Sequence, residues 1–312
     1  MTTAAATPPV IAIVGPTAAG KSELSLDVAE RLGGEVVNTD SMQVYRGMDI
    51  GSAKLPIDER RGITHHLLDL LDVTEPATVA DFQAWAREVI ANCRSRGVTP
   101  VLVGGSALYA RAVLDRFEFP ATDPAVRRQL EDELATIGPE AMYRRLVAVD
   151  ADAATKMTPM NGRRIVRALE VIAITGRPYG AGLPELAYFY EDAHQVGLDI
   201  SRPLLDERIA LRVQRMWDEG FVEEVRGLAD RGLREGRTAC RAIGYHQVLA
   251  YIDGETTEEE AKVRTINRTR RFARRQDGWF RKDPRITWVD WDDPDRVDKA
   301  LAAARAVGLS PG

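Results

Sequence analysis

The pattern of apolar and polar positions divides the chain into two kinds of territory. Residues 10–119 alternate short β-branched runs with longer stretches of helical spacing. Val10-Ile11-Ala12-Ile13-Val14 is apolar throughout, as expected of a strand buried on both faces. Glu23–Leu32 follows with leucines and Val28 at helical spacing, and Gly33-Gly34 stops it. Glu35–Asn38 reads as a second strand and the segment from His65 as a third. In Thr78–Arg94 the residues Val79, Phe82, Ala86, Val89 and Ile90 fall on one side of a helix. Val101–Val103 is the next strand, and Ala107–Phe117 the next helix.

The rhythm changes at Pro120. From Asp123 to about Ala187 the spacing is helical with no convincing strand, and Asp123-Pro124 supplies a cap and a first helical residue. Gly162–Thr175 is a further helix, and Pro178–Pro184 an irregular connection. His194–Ile200 alternates as a strand, Leu204–Glu219 and Val222–Arg231 are amphipathic helices, and Ile286–Asp290 is a last strand before a C-terminal helix. The pattern predicts an α/β fold: a parallel sheet with flanking helices from 1–119 and 193–312, carrying an all-helical insertion domain at 120–192.

Between the first strand and the first helix lies Gly15-Pro16-Thr17-Ala18-Ala19-Gly20-Lys21-Ser22. Strand, G-x-x-x-x-G-K-[ST], helix is the phosphate-binding P-loop arrangement, and both flanks argue against a chance match. Backbone N–H groups and the helix N-terminus favour a diphosphate or triphosphate. Lys21 adds a point charge, and the Ser22 hydroxyl is placed to hold Mg²⁺. Asp40 follows the second strand, and ligands of open parallel sheets sit at carboxyl ends of strands. Capping is the ordinary use of Asp-Ser, so Asp40 carries that reading beside the functional one. After Val101–Val103 come Gly104-Gly105-Ser106, which offer close backbone approach and a hydroxyl. No carboxylate stands there, so the usual acidic magnesium ligand of motor-type NTPases is missing from this strand.

Composition narrows the class. The 312 residues, 45% hydrophobic and 29% charged, suit an ordinary globular protein of about two domains. Met1–Pro9 is rich in Ala, Thr and Pro without the charge and apolar core of a signal peptide, and Val10–Val14 is too short to span a membrane. Cys93 and Cys240 are far apart, and His65, His66, His194 and His246 show no metal-ligand spacing. A disulfide framework and a zinc site are therefore not expected, both cysteines read as buried small hydrophobes, and a reducing cytoplasm is the expected location.

Charge changes the picture once more. The net charge is −5, yet residues 261–285 hold ten Lys and Arg against Asp277 and Asp283. Arg264, Arg268, Arg271 and Arg275 recur at i, i+4, i+7 and i+11, lining one helical face. A solvated face usually mixes signs to avoid i,i+4 repulsion. This one does not, and Phe272, Trp279 and Phe280 are interleaved, which favours a surface for a phosphate backbone. Arg163, Arg164 and Arg167 make a smaller patch on the insertion.

Over nearly its whole length the chain resembles the tRNA dimethylallyltransferases (tRNA isopentenyltransferases). The resemblance rests on G-P-T-A-A-G-K-S at 15–22, D-S-M-Q-V-Y-R-G-M-D-I-G-S-A-K at 40–54 and G-G-S-A-L-Y at 104–109. Further along it rests on D-P-A-V-R at 123–127, R-A-L-E at 167–170, A-I-G-Y at 242–245 and T-R-R-F-A-R-R-Q at 269–276. It implies transfer of a dimethylallyl group from dimethylallyl diphosphate to the exocyclic amine of an adenosine beside the tRNA anticodon. By the match, Asp40 is the general base, assisted by Ser106 where many relatives carry Thr. Thr17, Lys21 and the loop amides hold the diphosphate, with Arg208 and Arg212 nearby. Asp40, Ser41, Met42 and Gln43 contact the target adenosine, and Arg127 contacts tRNA. The chain departs from the family pattern at Thr158-Pro159-Met160-Asn161, where many relatives read H-P-N-D.

The expected partners are thus tRNA and dimethylallyl diphosphate with Mg²⁺, a monomeric state and no membrane. Competing readings are a P-loop kinase of small molecules, which leaves the basic helix unexplained, and a prenyltransferase of free adenine nucleotides, which has no use for it. A non-enzymatic RNA-binding nucleotide switch needs no base at Asp40.

Overall fold

The computed structural model describes residues 7–120, 122–179 and 185–305. Met1–Ala6 of the expected lead-in and Gly180–Pro184 of the expected connection lie outside the described residues. The chain forms two compact units, Met1–Arg116 with Leu186–Gly312, and Phe117–Glu185.

The first unit opens with strand β1 (Val10–Val14), helix α1 (Lys21–Leu32), β2 (Glu35–Asn38), β3 (His65–His66), α2 (Val79–Ser95), β4 (Pro100–Gly104) and α3 (Ala107–Leu114). The insertion supplies α4 (Pro124–Val149), α5 (Ala151–Thr155) and α6 (Gly162–Thr175). The first unit then resumes with β5 (Ala193–Asp199), α7 (Arg202–Asp218), α8 (Phe221–Ala229), α9 (Tyr245–Ile252), α10 (Glu258–Phe280), β6 (Ile286–Asp290) and α11 (Arg296–Arg305). Six strands make one sheet in the order β3-β2-β4-β1-β5-β6, and every neighbouring pair is parallel.

The apolar run of β1 is at the centre because it has no polar face to show water. Val10, Ala12 and Val14 enter one core, and Ile11 and Ile13 the other with Leu24 and Val28 of α1. Burying a side chain such as Ile11 or Ile13 completely contributes about 1.5–3 kcal/mol. Register then aligns the carboxyl ends: Val14 pairs with Gly104, and Asn38 with Val103. Because β4 lies between β1 and β2, the segments after all three strands meet at one edge. The P-loop, Asp40 and Ser106 are brought together by that register.

Two sequence expectations shorten in the structure. The third strand is only two residues, because Leu67 and Asp69 take left-handed backbone angles (φ 62° and 57°) that end the ladder. The insertion runs 117–185 rather than 120–192. Arg116 N–H donates to Ala187 O at 2.8 Å and Phe189 N–H to Leu114 O at 2.7 Å, so the chain leaves and re-enters the first unit through one hydrogen-bonded neck. The neck is fastened by fully buried Asp115, which takes Arg285 at 2.7 and 3.1 Å and Arg111 at 3.0 Å.

The insertion is helical as expected. Asp123 caps α4 by accepting the N–H of Ala125 at 2.7 Å and of Val126 at 3.3 Å. Gly138 (φ 79°, ψ 167°) and Pro139 break α4 into two pieces. Its core joins Leu130, Met142 and Leu146 to Ile165 and Leu169.

A polar cluster at the start of β2 is invisible in sequence spacing. Glu35 accepts from His66 Nε2 at 2.7 Å, from both Arg96 nitrogens at 2.8 and 2.7 Å, and from the Cys93 thiol at 3.4 Å. Cys93 is thus a buried hydrogen-bond donor and not merely a small hydrophobe, and Cys240 is half-buried rather than buried. Glu35, His66 and Cys93 are all metal-capable groups and lie within 4.8 Å of one another, which corrects the absence inferred from spacing. Arg96 already supplies the cation, and burial pushes the thiol up to about 11, so the cluster is charge-balanced as it stands.

The Arg96 hydrogen bonds hold the Glu35 carboxyl down at about 2 against the opposing effect of burial. A depressed carboxyl contributes stability above its unfolded value of about 4.5 and loses it as pH falls toward 2. Glu35→Gln should therefore cost roughly 1–2 kcal/mol above pH 5, discounted for the half-exposed Arg96. In urea unfolding the gap to wild type should close between about pH 4.5 and 2. A gap that is constant with pH would show that the carboxylate charge contributes nothing.

Candidate active site

The P-loop bends through Gly15 (φ 135°) and Gly20 (φ 102°), angles at which a side chain would be strained, and delivers Lys21 as the first residue of α1. Lys21 Nζ donates to Pro16 O at 2.7 Å, folded back over the loop it serves. Burial and repulsion from Arg212 lower its ammonium to about 7, while Asp40 pulls the other way. Arg208 Nε donates to Ala18 O at 2.8 Å, and Arg212 Nη1 to Thr17 Oγ1 at 3.2 Å. Both α7 arginines are therefore at the P-loop, about 190 residues from it in sequence. Arg212 is itself lowered, by burial first and by its cationic neighbours Arg215 and Arg208, with Asp40 opposing. Three cations gathered around one loop repel each other until an anion arrives. Such a cluster has the charge to pair with a polyanionic phosphate.

Asp40 is held at the end of β2 by local hydrogen bonds. Its Oδ1 accepts the N–H of Met42 at 2.8 Å, a local turn of the capping kind. Its own N–H goes to Asn38 Oδ1 at 2.8 Å, and Asn38 Nδ2 donates to Asp40 O and Leu67 O. The carboxylate is thus locked on a rigid strand end in electrostatic reach of Lys21 and Arg212. Ser106 is the residue before α3 and makes no side-chain cap bond there, so its hydroxyl is uncommitted to the helix.

The segment after Asp40 is internally braced. Gln43 Nε2 donates to Ser52 O and Ala53 O, both at 3.2 Å, leaving its carbonyl oxygen for a ligand. Ser41 and Met42 are half-buried beside it. The 48–54 loop is held from beneath by Glu224, which the sequence reading missed. Its carboxylate accepts the N–H of Asp49, Ile50 and Gly51 at 3.0, 2.6 and 3.2 Å and the Tyr245 hydroxyl at 2.6 Å. Lys54, 3% exposed at its side chain, ties Asp49 and Asp69 at 2.6 Å each. The D-I-G-S-A-K and A-I-G-Y motifs are therefore two sides of one clamp. The loop, the P-loop and α7 border an open cavity of about 600 Å³ lined by Lys21, Ser22, Arg208 and Arg212 and by apolar Ile50, Ala53 and Met216, while Asp40 and Ser106 are not in its lining.

The expected RNA contacts divide. Arg264, Arg268, Arg271 and Arg275 are exposed along α10. Arg270 turns inward instead, donating to Asp206 O of α7, and Arg274, itself exposed, pairs with the Asp206 carboxylate at 3.6 Å. On the insertion Arg163 and Arg164 are exposed. Arg127 is not free: with Arg167 it grips Glu170, which is wholly buried and stays ionised because two guanidinium groups outweigh its desolvation. Its first duty is structural, and only the exposed side of its guanidinium remains for RNA.

These features can be set beside known proteins. The model of a family described as IPP transferase matches residues 43–283. A tRNA dimethylallyltransferase of a Nocardioides species is 63% identical over 298 residues, covering 96% of both chains. The chain belongs to the IPP transferase family. The solved tRNA isopentenylpyrophosphate transferase of Bacillus halodurans superposes with a TM-score of 0.69 at 40% identity, covering 96% of this chain and 95% of the other. A eukaryotic dimethylallyltransferase caught acting on tRNA gives 0.80 at 28% identity, with 96% and 78% covered. The IPP transferase match begins at Gln43, so the P-loop and Asp40 lie outside it, within the span aligned to the Nocardioides relative.

Proposed function

We propose that the chain transfers a dimethylallyl group from dimethylallyl diphosphate to the N6 amine of the adenosine beside the anticodon of tRNA. The observation that carries this is a carboxylate, Asp40, held at the end of β2 near enough for its charge to act on Lys21 and Arg212 of the P-loop site. A phosphate site alone would serve a kinase. A fixed base beside it serves attack by a weakly nucleophilic amine. Adenine's amine lone pair is delocalised into the ring, so accepting its proton during attack is worth roughly 10²–10⁴ in rate.

In this reading Lys21, Arg208, Arg212, the Thr17 hydroxyl and the loop amides hold the diphosphate. They stabilise the charge that grows on its bridging oxygen as the allylic C–O bond breaks. The apolar Ile50, Ala53 and Met216 suit the five-carbon tail. Asp40 takes the amine proton as the new C–N bond forms, Ser106 and the Gln43 carbonyl orient the base, and the α10 arginines grip the anticodon arm. The target base must leave its stack to reach Asp40, and a loop-gripping surface offsets that cost. The exposed Ser22 hydroxyl at the start of α1 fits Mg²⁺, a hard cation that keeps several waters and takes few protein ligands. Bound there, Mg²⁺ would neutralise diphosphate charge. No helix among the described residues is long and apolar enough to cross a membrane.

The test supplies unmodified tRNA, Mg²⁺ and dimethylallyl diphosphate without any nucleoside triphosphate. The expected result is diphosphate release together with gain of one dimethylallyl group on adenosine. An absolute need for ATP, with ADP accumulating, would return the reading to a kinase.

Donor binding should also move a proton. With its ammonium near 7, Lys21 is only about one-tenth charged at pH 8 in the free protein, and the diphosphate should restore the charge. Calorimetry of dimethylallyl diphosphate binding in buffers of different ionisation enthalpy should show uptake approaching one proton at pH 8 and little at pH 6. Equal heats in all buffers at pH 8 would mean that Lys21 is charged throughout.

A further inference from the structure

Gln276 lies on the buried face of α10, one residue beyond Arg275, and is 5% exposed. Its Oε1 accepts the N–H of Thr17 at 2.9 Å, and its Nε2 donates to Gly105 O at 2.8 Å. The partners are 259 and 171 residues away in sequence and belong to the two loops that flank the reaction. Thr17 is in the P-loop, with its hydroxyl already on Arg212. Gly105 immediately precedes Ser106, and a Cβ at Gly105 would come within 2.3 Å of Gln276 Nε2, so the amide is seated directly on the backbone.

We propose that Gln276 is a positioning residue for the transfer: it sets the spacing between the donor-gripping loop and the Ser106 loop. It also fastens both to the helix whose exposed face carries the arginines. This rests on the function proposed above. Its side chain offers one acceptor and one donor in the order the two loops require, without charge. A carboxylate keeps the acceptor for Thr17 but repels the Gly105 carbonyl and adds negative charge beside the phosphate site. An alkyl chain leaves a buried N–H and a buried C=O unpaired. A misplacement of about 1 Å in loop spacing can cost about 10²-fold in rate.

Three variants separate positioning from packing. Gln276→Leu, close in size, should lower kcat about 10- to 100-fold and raise KM for the donor, with KM for tRNA within about twofold. Gln276→Glu should be poor at pH 8, but its activity relative to wild type should rise as pH falls toward 5.5. A protonated carboxyl has one O–H and one C=O, so it remakes both bonds. Gln276→Asn, one methylene short, should not rescue. Affinity for inorganic diphosphate, read by calorimetry, should fall about tenfold in Gln276→Leu, and this arm needs no turnover. A folded Gln276→Leu with wild-type kcat and diphosphate affinity would overturn the proposal. So would a Gln276→Glu to wild-type ratio that stays flat with pH. Failure of the proposed function shows differently, as a wild-type protein that is inactive with tRNA and donor, and the diphosphate arm still decides the role of Gln276.

Discussion

Asp40→Asn is expected to slow the chemical step by roughly 10²- to 10⁴-fold while tRNA affinity stays within a few-fold. The substitution is informative because of what it keeps. Asn retains the oxygen that accepts the Met42 N–H, so the turn after β2 survives, and Asn38 still holds the backbone on either side. What goes is the ability to accept a proton from the amine and the negative charge facing Lys21 and Arg212. Single-turnover kinetics with saturating tRNA and donor isolate that loss. A rate near wild type would reduce Asp40 to a turn former. Asp40→Ala should melt earlier than Asp40→Asn, since it removes the turn bond as well.

The second large effect belongs to α10. Reversing Arg268 and Arg271 to Glu should raise KM for tRNA at least tenfold at physiological salt and leave kcat little changed. The log–log salt dependence should flatten by about one unit for each phosphate that is no longer neutralised. These two are the right choice because both are exposed, whereas part-buried Arg270 braces α7 through Asp206 O. Reversing Arg270 should cost stability instead. An unchanged salt slope in a folded double variant would mean that the outer arginines only solvate the helix.

What could be read from the chain was whatever is local. The β1 run, the P-loop and the β2 end each carry their meaning within a dozen residues, and the strand–helix rhythm placed all three at one edge of a sheet. The arginine face of α10 was legible because helical periodicity is a local rule. Long-range polar contacts obey no such rule. Nothing around Gln276 marks it as the partner of Thr17, and nothing around Glu224 marks it as the support of a loop 175 residues earlier. Arg127 shows the reverse case: its motif was visible, but the buried Glu170 that claims it was not. The end of β3 is not legible in the chain because two left-handed residues, Leu67 and Asp69, look like any others on paper.

The neck between Leu114–Arg116 and Ala187–Phe189 has a consequence for how such a molecule can be rebuilt. Its hydrogen bonds and the Asp115–Arg285 pair are all internal to the first unit, so they owe nothing to residues 117–185 threaded between them. Chain ends already held side by side need only a tight turn to join them, and closing a shorter loop costs less entropy than closing a longer one. The helical segment is therefore a cassette: it can be excised, or exchanged for the corresponding segment of a relative, without re-registering a single strand of the sheet that carries Asp40 and Lys21.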